Sequence, residues 1–258
     1  MINKELKTII ISGGLGLLGK EFAKALSIEY NVILLDTPDK VDSYYEGEET
    51  HYFYTFSCDI TNESQITQSI EYINEKWGHT DIVINCAAIN TTPKEGEYNN
   101  FEKYSLEKWK KTLDVNLTGA FLLSRECAKY MISSNKRGIK GTIINIASDL
   151  GIIASDQNIY ENDYIKPPDY GVSKAGLMYL TKYIASYYEG KIKSVCLSPG
   201  SVYNGQSDIL VKNLIDRIPS RRLAEVDEYN EAIKFLCSSG SDYMNGQSLV
   251  MDGGRTIW

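Results

Sequence analysis

Short apolar, β-branched runs alternate along this chain with longer stretches in which apolar residues recur at helical spacing. Thr8-Ile9-Ile10-Ile11 is a continuous apolar run, typical of a strand covered on both faces. Asn31 to Leu35, His51 to Phe56, Asp81 to Asn85, Gly141 to Ala147, Ser194 to Leu197 and Ser248 to Met251 read the same way. Between them the pattern predicts helices near 19–30, 63–77, 105–134, 170–188, 207–217 and 227–238. This βαβα order predicts an α/β fold, a doubly wound parallel sheet of about seven strands with helices on both faces. Internal repeats, low-complexity segments and linkers are absent from the sequence, so residues 1–258 are expected to form a single domain.

Three connections read as long loops: 36–50, 89–104 and 149–169. The first lies where the adenosine end of a nucleotide would sit. The other two follow strands at their carboxyl ends, where open α/β sheets bind ligands. They are expected to shape a substrate site together with residues 201–218.

Composition narrows the function. The chain has 258 residues, 43% of them hydrophobic, enough for one full core. Its net charge of −7 repels phosphate backbones, so no nucleic-acid partner is expected. Five cysteines lie far apart and make no CxxC pair, which reads as buried free thiols in a reducing compartment. No apolar run reaches the length of about eighteen residues that a membrane span needs, and the N-terminus has no apolar leader segment. A cytoplasmic protein without a membrane partner is expected. The two histidines, His51 and His79, stand apart from any Cys or Asp cluster, so neither a Ser-His-Asp hydrolase nor a metal site is expected.

Strand one runs into Ser12-Gly13-Gly14-Leu15-Gly16-Leu17-Leu18-Gly19, and Gly14, Gly16 and Gly19 make GxGxxG at a strand-to-helix junction. Side chains there would block a pyrophosphate, while the helix start offers free N–H groups and a positive dipole end. Gly13, Leu15, Gly16, Leu17, Leu18 and Gly19 are therefore the candidate pyrophosphate contacts. Asp36 closes strand two, where a carboxylate accepts hydrogen bonds from the adenosine ribose hydroxyls and repels a 2′-phosphate. Thr37-Pro38-Asp39 follow it without an arginine, which favours NAD over NADP as cofactor.

Tyr170-Gly171-Val172-Ser173-Lys174 opens a helix, and residues four apart share one helical face. A free tyrosine titrates near ~10, and a fixed ammonium beside it favours the phenolate. Such a phenol gives a proton to a carbonyl or takes one from an alcohol while hydride passes to or from a nicotinamide. Ser148, at the carboxyl end of the strand beginning at Gly141, is placed to hold the substrate oxygen.

Together these residues resemble the short-chain dehydrogenase/reductase family in its compact, single-domain, Rossmann-like form, over essentially the whole chain. Asn85-Cys86-Ala87-Ala88 is similar to the family's Asn-Asn-Ala-Gly element, Asn116 to its helix asparagine, Pro199-Gly200 to its Pro-Gly turn, and Asp252-Gly253-Gly254 to its Asp-Gly-Gly. The resemblance implies that Tyr170 is the acid/base, that Lys174 lowers its pKa and binds the nicotinamide ribose, that Ser148 orients the substrate oxygen, and that Asn116 holds a water linking Lys174 to solvent. It implies further cofactor contacts at Asp59, Ile60, Asn85, Ala87, Pro199 and Val202. Leu17 stands where the family's usual GxxxGxG has a glycine, and Asn204 replaces the threonine expected after Pro199-Gly200.

The spacing from Ser148 to Tyr170 is longer than usual for the family. That insert, with Tyr160-Glu161, the segment Pro199 to Gln206 and the ending Asp252 to Trp258, looks like a bacterial subgroup that makes sugars for flagella and surface polysaccharides. Tyr160, Tyr203 and Asn204, with Ser148, are the candidate substrate contacts, since such side chains suit a polyhydroxylated small molecule. Two other readings stay open. One is a nucleotide-sugar epimerase or dehydratase that recycles bound NAD, suggested by the placement of Gly16. The other is a non-catalytic NAD-binding regulator. The stretches 105–134 and 170–188 also resemble the helices that pair subunits in the family, so a homodimer or homotetramer is expected, with Leu113, Leu117, Phe121, Cys127, Leu177, Leu180 and Ile184 as candidate interface positions.

Overall fold

The computed structural model describes residues 4–45, 53–90, 100–133, 140–161 and 164–257. Its frame is a sheet of seven parallel strands: β1 (Thr8–Ser12), β2 (Asn31–Asp36), β3 (Tyr54–Ser57), β4 (Ile82–Asn85), β5 (Gly141–Ile146), β6 (Ile192–Pro199) and β7 (Ser248–Met251), in the order β3-β2-β1-β4-β5-β6-β7. The strand order reverses at β1, which pairs with β2 on one side and β4 on the other. Adjacent crossovers therefore leave in opposite directions there, opening a crevice at the carboxyl ends of β1 and β4.

The apolar runs are continuous because both sheet faces are covered. Ile9, Ile11, Val32 and Leu34 point to one face, against Phe22 and Leu26 of helix α1 (Leu17–Leu26) and Ile233 and Leu236 of α8 (Asn230–Cys237). Ile10, Ile33, Leu35 and Val83 point to the other. There they meet Ile66, Ile70, Ile73 and Trp77 of α3 (Glu63–Trp77), Leu123 and Cys127 of α5 (Ala120–Ser133), and Ile184 of α6 (Pro168–Tyr188). Each such aliphatic side chain contributes about 1.5–3 kcal/mol by leaving water, so a one-residue slip in any strand would be costly.

Some sequence expectations need correction. The segment 36–50 is not all loop: Pro38–Tyr45 is helix α2. Pro38 occupies its first turn, where the missing N–H costs nothing, and Val41 and Tyr44, three apart, are buried. Residues 46–50 lie outside the described residues. The helix expected over 105–134 is broken. Helix α4 (Leu106–Leu113) passes into a wider π turn over Asp114–Gly119 before α5 begins, and position 134 lies outside the described residues. A π insertion rotates the side chains that follow it and is common at functional sites; here it carries Asn116. Strand β3 runs Tyr54–Ser57 rather than 51–56, of which residues 51 and 52 are outside the described residues together with His51. The remaining helix is α7 (Asp208–Ile215), and much of the expected loop 89–104, residues 91–99, is also outside them.

Candidate active site

At the head of the crevice, the turn from β1 into α1 needs glycine at three places. Gly13 has φ +64°, and a Cβ there would lie 2.5 Å from Ala87 Cα; at Gly19 a Cβ would lie 2.3 Å from the Gly13 carbonyl oxygen. A Cβ at Gly16 would meet only that same oxygen, at 3.1 Å. The tight positions are therefore Gly13, Gly14, where a Cβ would lie 2.6 Å from Leu34 Cβ, and Gly19, and Gly16 is the least crowded of the four. Gly16 is also the N-cap of α1 and makes no side-chain cap, so the first-turn N–H groups around Leu17 and Leu18 are left for an anion or water.

Asp36 sits buried at the end of β2. Its Oδ2 accepts the Leu15 N–H at 2.9 Å and its Oδ1 the Thr37 N–H at 2.9 Å. A carboxylate has about four lone-pair directions, so both oxygens keep capacity for ribose hydroxyls. Lys40, on α2, brings its ammonium to 3.7 Å from Asp36 Oδ1, a cation that the sequence reading did not weigh. A cavity of about 1030 Å³ opens beside these groups, walled by Gly13, Asp36, Lys40, Asp59, Ile60 and Ala87. Asp59 Oδ1 is engaged by the Thr61 N–H and hydroxyl. An uncapped helix start, a run of glycines without side chains to block it and an acidic group at the end of β2 fit a dinucleotide.

The cavity wall stops short of Tyr170. Beyond it, Ser148 lies just past β5 and Tyr170 and Lys174 lie on the first turns of α6. Ser148 Oγ donates to Asp149 Oδ1 at 2.8 Å and accepts the Leu150 N–H at 3.2 Å. Ser148 also hydrogen-bonds the Tyr170 side chain. The hydroxyl hydrogen can rotate, and turned to Tyr170 it favours the phenolate over the phenol.

The electrostatics differ from the sequence expectation. Burial pushes the Tyr170 phenol up to about 12, with the Ser148 hydrogen bond acting the other way. Burial likewise pulls the Lys174 ammonium down to about 8. Lys174 Nζ donates to the Ile146 carbonyl at 2.7 Å and stands 5.5 Å from the centre of the Tyr170 ring, so its charge is spent on the end of β5. In this state desolvation outweighs the cationic neighbour, and the phenol is neutral.

Asn116 is fully buried in the π turn. Its Oδ1 accepts the Ile89 N–H at 2.8 Å, and its Nδ2 donates to the Ile89 carbonyl and to Ser173 Oγ, each at 3.0 Å. It thus ties the β4 loop to α6 one residue from Lys174. Asn85 does not face the crevice with its amide. That group is turned inward and donates to Ser124 Oγ and Asn145 Oδ1, each at 2.8 Å, because the end of β4 is covered by α5; the wall at this level is Ala87, Ala88 and Ile89. Pro199 closes β6, and Val202 bridges to Ala224. Tyr160 is half-buried, its ring 4.8 Å from that of Tyr164, while Tyr203 and Asn204 lie exposed on the turn after β6. Among the expected interface residues, Cys127, Leu177 and Ile184 are buried within the chain's own core, whereas Phe121 is exposed.

Sequence reasoning missed a buried polar layer beneath the site. Asp149 Oδ2 accepts Arg255 Nη1 at 2.8 Å. Asp169 accepts the Tyr104 hydroxyl at 2.7 Å, the Thr112 hydroxyl at 2.5 Å and the Tyr170 N–H at 2.8 Å. Lys166 lies over the opposite end of the site, 5.4 Å from the Tyr170 ring centre. Both aspartates directly adjoin a candidate catalytic residue in sequence, a signal that was available. Among the described residues no cluster of His, Cys, Asp and Glu could hold a metal ion, and no helix is long and apolar enough to cross a membrane.

Residues 18–256 match a family model described as enoyl-(acyl carrier protein) reductase. The chain is 29% identical over 211 residues to D-threitol dehydrogenase of Mycolicibacterium smegmatis, covering 78% of this chain and 73% of that protein. It is 30% identical over 207 residues to a short-chain type dehydrogenase/reductase of Picea abies, covering 77% and 69%. Among solved structures it resembles a short-chain dehydrogenase of Leptospira borgpetersenii with bound NAD+, at 33% identity and a TM-score of 0.84 over 98% of this chain and 93% of that one.

Proposed function

Because the chain belongs to the short-chain dehydrogenase/reductase family of NAD(P)-binding oxidoreductases, we propose that it is an NAD-dependent enzyme that interconverts an alcohol and a carbonyl on a polyhydroxylated small molecule. The observation that carries this reading is the convergence of Ser148, Tyr170 and Lys174 at the end of a crevice whose other end holds the glycine turn and Asp36. Asn116 fixes the scaffold around them.

In the reducing direction the neutral Tyr170 phenol gives its proton to the substrate oxygen as hydride reaches the carbonyl carbon, and an alcohol results. In the oxidising direction Tyr170 must first lose its proton; its phenolate then takes the alcohol O–H proton while the C–H departs as hydride. Ser148 holds the substrate oxygen beside the phenol, and Lys174 balances the phenolate when it forms. When bound, the nicotinamide supplies the hydride donor or acceptor and, in its oxidised form, a positive charge that favours the phenolate. The carboxylate of Asp36 supports NAD as the cofactor, since a 2′-phosphate would meet it directly.

The polar residues of the segments 149–169 and 201–218, Tyr160, Tyr203 and Asn204 among them, support a sugar-like substrate, as does the insert before Tyr170 that resembles sugar-biosynthetic members. On that reading the enzyme works in the cytoplasm, in carbohydrate biosynthesis. A homo-oligomer belongs to the same proposal: Leu117, Phe121, Tyr179, Leu180 and Tyr183 surround Gly176 in an open apolar groove of about 380 Å³. Sedimentation as a monomer at micromolar concentration would contradict it. The function itself is tested by following nicotinamide absorbance with a set of sugars and alditols, with NAD+ and NADP+ in parallel. NADH accumulation is expected; turnover without any net change in nicotinamide redox state would point instead to internal recycling.

A further inference from the structure

Lys166 is only 8% exposed, yet no carboxylate lies within ion-pair distance of it among the described residues. Asp169, three residues on, acts on it only from a distance, and is engaged by the hydroxyls of Tyr104 and Thr112 and by the Tyr170 N–H. The Lys166 ammonium has three N–H donors. One goes to Asn90 Oδ1, and no other acceptor is present for it among the described residues. Buried charges in proteins are normally paired, because an uncompensated one forfeits its hydration.

The backbone that carries this side chain is held by Gln157 and by the prolines that follow. The Lys166 N–H donates to Gln157 Oε1 at 2.8 Å, and Gln157 Nε2 donates to the Lys166 carbonyl at 3.2 Å. Pro167 and Pro168 follow, as the N-cap and first residue of α6, and both restrict the backbone there. The ammonium therefore stands 5.4 Å from the centre of the Tyr170 ring, next to Asn90 at the mouth of the β4 loop. The other cation near the ring, Lys174, is turned to the Ile146 carbonyl. Burial pulls the Lys166 ammonium down to about 8, with the charge of Asp169 acting the other way, so it is still charged at neutral pH while no carboxylate among the described residues touches it.

We propose that Lys166 and Asn90 form an anion-recognising subsite, and that the substrate carries a carboxylate which pairs with the Lys166 ammonium while its hydroxyl or carbonyl meets Tyr170. A carboxylate is favoured over a phosphate because one buried ammonium balances one negative charge, whereas a phosphate dianion would bring a second one into the same site. The substrate class is thus a hydroxy or keto acid of the sugar series. This inference rests on the oxidoreductase reading above for its chemistry, but its binding half stands apart from turnover.

The test compares wild type, Lys166→Met and Lys166→Arg on a set of aldonic acids and the alditols of matching chain length, with NAD+. The ratio of kcat/KM for acids over alditols should exceed one in wild type, fall at least about tenfold in Lys166→Met, and be partly restored in Lys166→Arg. An equal ratio in wild type and Lys166→Met overturns the assignment, because a purely structural or phenol-tuning role would depress both substrate classes alike. A second arm reads binding by thermal shift, with gluconate and glucitol as probes. Stabilisation by gluconate alone, abolished in Lys166→Met, supports the subsite; equal shifts with both probes, or none with gluconate, contradict it. Turnover of alditols with no acid preference would overturn Lys166 and keep the oxidoreductase reading. A Lys166-dependent gluconate shift without turnover of either set would do the reverse.

Discussion

Arg255, past the end of β7, reaches back across 106 positions to place Nη1 at 2.8 Å from Asp149 Oδ2, and both side chains are buried. The other oxygen of that carboxylate holds the Ser148 hydroxyl. A guanidinium thus fixes a carboxylate, and the carboxylate orients the serine hydroxyl that meets the phenol.

Removing Arg255 alone strands a buried carboxylate. Arg255→Met is expected to cost about 3–5 kcal/mol in urea unfolding. The double variant Asp149→Leu/Arg255→Met, which strands no charge, should recover a large part of that loss. Strictly additive losses in the two single variants and the double would contradict a coupled pair.

Lys174 illustrates a conflict between stability and function. Burial pulls its ammonium from the ordinary 10.5 down to about 8 in the folded state. Between those values the unfolded chain binds the proton more readily, so this group's contribution to stability increases as pH rises through 8, and below 8 its burial penalty is present in full. Lys174→Met should therefore make the ligand-free protein more stable at about pH 7, by about 1–3 kcal/mol, while removing most turnover. Unfolding midpoints taken between about pH 7 and 9.5 should show wild type closing the gap. A gap that widens with pH would refute the burial account.

How far these groups can be read from sequence depends on how locally they are encoded. The β1 turn and α1 were legible because Gly13 and Gly19 are few residues apart and meet in space, and the pair Tyr170 and Lys174 because one helical turn joins them. The sheet was legible because Ile9, Ile10 and Ile11 serve two covered faces. The π turn at Asp114–Gly119 was not, since its residues suit an ordinary helix and only tertiary contacts of Asn116 with Ile89 and Ser173 single it out. Arg255 and Lys166 were missed for a similar reason: their partners lie far away in sequence, and a lone basic residue carries no periodic signal. The neutral phenol was missed because a YxxxK spacing specifies proximity but not burial, and burial dominates at Tyr170.

Cofactor choice should turn on Asp36. With the carboxylate gone, Lys40, now 3.7 Å from Asp36 Oδ1, would be released toward a 2′-phosphate. Asp36→Ser is expected to raise the affinity for NADP+ relative to NAD+ by about tenfold, which corresponds to ~1.4 kcal/mol. Adding Lys40→Ala should reverse most of the gain. Dissociation constants from NADH and NADPH fluorescence give the ratio, and a ratio unchanged in Asp36→Ser would remove Asp36 from cofactor selection.

The proton shuttle at Tyr170 is tested most directly by Tyr170→Phe, which deletes one oxygen and leaves the ring between its two lysines. Single-turnover nicotinamide absorbance on the best substrate should be read beside NADH binding by fluorescence. The account predicts NADH affinity within about twofold of wild type and a hydride-transfer rate lower by about 10²–10⁴-fold. A variant that binds NADH normally and transfers hydride at the wild-type rate would contradict it.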